Sequence, residues 1–133
     1  MKYADVYKAS LEDPESYWMQ AAEALDWDRA PSKALFEKGD SLYEWFSDGM
    51  VNGCYNAVDR HVERGRGDQD AIIYDSPITG SKSRLTYAEL QTRVAKLAGA
   101  LVAQGVTKGD RVIIYMPMVP EALEAMLACA RIG

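Results

Sequence analysis

Residues Arg111-Val112-Ile113-Ile114-Tyr115-Met116 make a run that is apolar on both sides of any extended strand it could form. A strand covered above and below in a parallel sheet has that composition, whereas a half-exposed strand alternates apolar with polar positions. Pro120 follows, and its fixed φ suits the first turn of a helix. The helix it opens, residues 121–132, carries Ala122, Leu123, Ala125, Met126, Leu127, Ala128, Cys129 and Ala130. Apolar nearly all round, it is expected to be buried on several sides. A strand and helix of this kind need further strands to cover them, and Gly133 falls where another parallel strand is due. The expected fold class is α/β, the opening of a truncated open sheet.

Upstream, Thr86-Tyr87-Ala88-Glu89 fits a capping box. Leu90, Val94, Leu97, Ala98, Leu101 and Val102 then share one face, with Gln91, Arg93 and Lys96 opposite, so an amphipathic helix is expected as far as Gly105. Ala71 to Tyr74 and Arg84 to Thr86 read as two short strands around a turn over 77–83, a β-hairpin. Asn52 can cap a helix that runs to about Arg64 with Tyr55, Val58 and Val62 at helical spacing, and Gly65 stops it. Gly65-Arg66-Gly67-Asp68 is the expected boundary, dividing the chain into residues 1–65 and 66–133.

Before it, Tyr3 to Leu25 read as two short helices, the second opened by Asp13-Pro14-Glu15 and carrying Tyr17, Trp18, Ala21, Ala22 and Leu25 as its apolar stripe. Residues 26–50 are rich in turn formers and hold Trp27, Phe36, Tyr43, Trp45 and Phe46 between them. An ordered loop anchored by aromatic rings is expected there.

Composition narrows the function. With 133 residues and a net charge of −5, the chain offers no basic surface for a polyanion, which argues against nucleic acid. Its longest apolar stretches, Ala98 to Ala103 and Val112 to Met118, fall far short of the ~20 residues of a membrane span, and the N-terminus does not lead into a secretory apolar region. A cytoplasmic location is expected. Cys54 and Cys129 form no CxxC pair and the chain has one histidine, so neither a metal site nor a disulfide is expected.

No motif supplies a catalytic constellation. Gly80-Ser81-Lys82-Ser83 resembles the tail of a phosphate loop, but Ser precedes the lysine and Ser76 stands where the upstream glycine belongs; Lys82 reads more simply as the solvated side chain of a hairpin turn. Gly65-Arg66-Gly67 lacks a third glycine and follows a helix, the wrong setting for a dinucleotide fingerprint. Asp59 and Arg60 precede His61 directly, yet adjacent helical residues diverge, so His61 reads as a structural histidine. Trp45, Phe46 and Tyr55 read as packing anchors rather than a ligand pocket. No catalytic, cofactor-binding or metal-binding residue is assigned.

Several stretches carry a resemblance. Trp45-Phe46-Ser47-Asp48-Gly49, Asn52 and Cys54-Tyr55-Asn56-Ala57-Val58-Asp59-Arg60-His61 resemble the acetyl/propionyl-CoA synthetase branch of the AMP-forming acyl-CoA synthetases, which are adenylate-forming enzymes. So do Gly105 to Met118, Pro120-Glu121 and Met126 to Gly133, which look like the opening of that family's nucleotide-binding domain. Ala71 to Gly80 is more similar to propionyl-CoA than to acetyl-CoA synthetases, and Gly53 departs from the larger residue common in the family.

The resemblance implies a ligase that activates propionate or acetate with Mg-ATP to an acyl-adenylate and passes the acyl group to CoA. It also implies that the phosphate loop, magnesium ligand, acyl pocket and adenylation lysine lie downstream of Gly133. The fragment alone is expected to be inactive, to hold no cofactor, and to be marginally stable or to self-associate. From a different class, a non-enzymatic interaction module docking through the apolar helix 121–132 stands as the alternative.

Overall fold

The computed structural model of the chain describes residues 2–133, which divide into two compact units, 2–51 and 52–133.

The first unit opens with α1 (Tyr3–Glu12) and α2 (Pro14–Ala22). Asp13 separates them by capping α2: its side chain accepts from the Ser16 N–H at 3.1 Å, and Pro14 occupies the first turn. The expected stripe on α2 is only partly realised. Ala22 is buried and Tyr17 half-buried, but Trp18, Ala21 and Leu25 are exposed, while Glu15 and Met19 turn inward. Glu15 does so because its carboxylate accepts from the Ala34 N–H at 2.6 Å, a demand that hydropathy does not register.

Two three-residue strands, β1 (Leu35–Glu37) and β2 (Tyr43–Trp45), pair antiparallel with Phe36 opposite Glu44. Aromatic rings anchor this region as expected. Trp45 meets Trp18 edge-on at 5.5 Å and Phe46 at 5.9 Å, and Phe46 meets Trp27 at 5.7 Å. The Trp27 indole N–H donates to the Ala22 carbonyl at 2.8 Å, satisfying its polar edge. Gly49 lies so close beneath Trp27 that a Cβ there would stand 2.8 Å from the ring.

The second unit begins with α3, residues 53–66, capped by the Asn52 side chain, which accepts from the Tyr55 N–H at 3.0 Å. Gly65, at φ +78°, ends it in the left-handed region that glycine enters without penalty. A π-type turn over Tyr55–Asp59 widens the helix, and at Arg64 and Gly65 the backbone leaves helical geometry. β3 (Asp70–Asp75) and β4 (Lys82–Thr86) form the expected hairpin, with Ile73 opposite Arg84 and Asp75 opposite Lys82. α4 (Tyr87–Ala103) follows directly. Its capping box is complete: Thr86 accepts from the Glu89 N–H, and the Glu89 carboxylate accepts from the Thr86 N–H at 2.9 Å. Its C-terminus closes on Gly105 (φ +95°), with Val106 N–H bonded to Leu101 O and Gly105 N–H to Val102 O, a Schellman motif.

α5 (Pro120–Ile132) packs against α4. The core joins Cys54 and Val58 of α3, Leu85 of β4, Leu90, Val94 and Ala98 of α4, and Ala128 of α5, with Ile72, Leu97, Leu101 and Leu127 around them.

One expectation fails here. Residues 111–116 pair with no strand among the described residues; Ile113 is 92% exposed and Tyr115 99%. A strand exists only through the hydrogen bonds of a neighbour, and none lies beside this segment. α5 is covered on opposite sides, as expected: Ala122 and Glu124, about 200° apart around the helix, are both buried, while Leu123 and Met126 stay open between them.

Candidate functional site

Among the buried polar side chains of the second unit, Glu124 pairs with Arg93 at 3.2 Å, while Asp59 gathers a cluster of its own. Its carboxylate receives both arms of the Arg131 guanidinium, at 2.8 and 2.9 Å, and the Gln91 amide at 2.8 Å. The Cys54 Sγ stands 3.9 Å from Asp59 and 3.4 Å from Arg131. The Asn52 amide donates to the Arg131 carbonyl at 3.2 Å.

Local geometry explains the meeting of Cys54 with Asp59. Residues five apart on an α-helix diverge by about 140°. The π turn over Tyr55–Asp59 closes its hydrogen bond across five residues and so brings Cys54 and Asp59 to the same face.

Electrostatics make the cluster a closed one. Burial works to raise the pKa of Asp59, but the hydrogen bonds from Arg131 and Gln91 and the charge of Arg131 outweigh it and hold the carboxyl below its usual range. The Asp59 hydrogen bond raises Arg131 further above neutrality. Burial pushes the Cys54 thiol up, so it stays protonated and is no nucleophile at neutral pH. Every strong donor and acceptor here faces another member of the cluster, which therefore ties α3, α4 and α5 together rather than presenting a reactive group.

The other residues singled out in the sequence settle into structural positions. His61 accepts at Nδ1 from Arg66 at 3.1 Å, which requires that nitrogen to be unprotonated, and its ring lies 5.0 Å from Tyr87. Arg66 also caps the Tyr87 face at 5.4 Å and donates to Gln69 at 2.7 Å. Asp59, expected to diverge from His61, does so by turning to Arg131.

Gly80-Ser81-Lys82-Ser83 crosses the hairpin turn into β4, with Gly80 at φ +68°, and opens no helix. Lys82 pairs with Asp75 at 2.7 Å and Arg84 with Asp70. The cavity of about 550 Å³ along this hairpin thus meets cations already neutralised. Trp45 and Phe46 pack within the first unit, and the Tyr55 hydroxyl donates to Glu63 at 2.6 Å.

Among the described residues no three His, Cys, Asp or Glu side chains converge on a common point. The N-terminus of α4, which could otherwise attract phosphate, is closed by the Glu89 carboxylate.

Family comparison decides what such a scaffold belongs to. The model of the AMP-binding enzymes matches residues 58–133, more than half of the chain. This chain belongs to the AMP-binding enzymes. The model of the acetyl-coenzyme A synthetase N-terminus matches residues 3–57 of the chain.

Among its relatives, the mitochondrial acyl-CoA synthetase short-chain family member 3 of Bos taurus is 53% identical over 132 residues, 99% of this chain and 19% of the relative. The acetyl-coenzyme A synthetase of Bradyrhizobium sp. (strain ORS 278) is 44% identical over 135 residues, 99% of this chain and 21% of the relative. The acetoacetyl-CoA synthetase from Streptomyces lividans superimposes with a TM-score of 0.85 at 29% identity, across 100% of this chain and 20% of that one. The chain thus spans about a fifth of the length of the relatives it matches, and its α/β arrangement of helices and small sheets is that of an acyl-CoA synthetase over this span. Among the described residues no helix is long and apolar enough to cross a membrane.

Proposed function

We propose that this chain forms the N-terminal part of a short-chain acyl-CoA synthetase that activates propionate in preference to acetate. In the proposed reaction a carboxylate oxygen attacks the α-phosphorus of Mg-ATP and pyrophosphate leaves, giving an acyl-adenylate. The CoA thiol, losing its proton, then displaces AMP at the acyl carbon and a thioester forms. Magnesium, when bound, neutralises charge on the phosphate oxygens.

The observation that carries the reading is the match of both halves to consecutive segments of one enzyme type, residues 3–57 and 58–133. The character of Ala71 to Gly80 supports propionate. Residues 1–65 are assigned to the N-terminal segment and 66–133 to the opening of the adenylation domain. The residues that contact ATP, CoA and the acid are assigned to regions outside these 133.

Within this division the present residues act by position. The Asp59–Arg131 pair fixes α5 against α3 and α4, and the exposed run 111–118 fits a strand that a larger sheet covers. The same reading keeps the enzyme in the cytoplasm, although the animal relatives carry "mitochondrial" in their names, and cell fractionation separates the two.

Acid-dependent AMP formation by the whole synthetase is the test. A higher kcat/KM with propionate than with acetate is expected. The reverse order overturns the choice of acid, and no AMP from any short acid overturns the ligase.

A further inference from the structure

We draw no further inference here: the strongest candidate, the exposed apolar run 111–118 beside the open Leu123 and Met126 face of α5, belongs to the synthetase reading already given, and nothing in the structure shows a different occupant for it.

Discussion

Among the described residues, Asp59 holds the one buried carboxylate of the second unit that meets a guanidinium through both oxygens. Its side chain is 8% exposed and that of Arg131 30%, so removing the carboxylate charge strands a guanidinium that water reaches only in part. Asp59→Asn is expected to lower the unfolding free energy by about 2–3 kcal/mol, at or below the lower end of the range for a broken buried pair because Arg131 keeps some solvent. Urea unfolding measures it, and a change under about 0.5 kcal/mol, the scale of an ordinary surface substitution, would show the pair to be incidental.

The sign of the pH effect follows from the depressed pKa of Asp59. Its stabilisation is complete above the unfolded value of about 3.9 and drains away as pH falls through the lower folded value. Wild-type protein should therefore lose its advantage over Asp59→Asn below about pH 4 and keep it at pH 7. Asp13, Asp48, Glu89 and Asp110 also lie below their usual values, so the difference between the two proteins is the quantity to read.

None of this pairing was legible in the sequence, for two physical reasons. Asp59 and Arg131 lie 72 residues apart, and spacing along a chain carries no information about such a contact. The π turn that aligns Cys54 with Asp59 has no sequence signature comparable to a cap or a glycine stop.

Elements whose causes are local were legible. The Asp13 and Asn52 caps, the Thr86/Glu89 box, the hairpin, and the stops at Gly65 and Gly105 each rest on a few neighbouring residues, and each forms as read. The strand at 111–116 was not, because its composition states only which surroundings suit it. Pairing is a property of two segments, and the sequence of one cannot supply the other. The apolar stripe of α2 was misread for a related reason: Glu15 is drawn inward by a backbone N–H at Ala34 that lies 19 residues away.

α4 touches α3, α5 and both hairpin strands, so its start should matter to the whole unit. Thr86→Ala removes the acceptor for the Glu89 N–H and is expected to cost about 1 kcal/mol, read as a lower urea midpoint with an unchanged slope. An unchanged midpoint would mean that tertiary packing alone holds the first turn.

For the whole molecule, the proposal separates scaffold from chemistry. The polar cluster is internally satisfied, the histidine is engaged by Arg66, and the hairpin cations are paired, while a large apolar run lies open. Exposed apolar surface of this kind drives association in water. The isolated 133-residue chain is expected to self-associate, with an apparent mass in sedimentation that rises with concentration, and Ile113→Lys with Tyr115→Lys should reduce that rise. A monomer at every concentration would count against an interior role for residues 111–118.

ATP–pyrophosphate isotope exchange by the same 133-residue chain, with propionate and with acetate, tests the central claim most directly. The account predicts no exchange above the protein-free rate with either acid. Acid-dependent exchange that survives repurification would contradict it, because the adenylation groups would then lie among residues here assigned to scaffold alone.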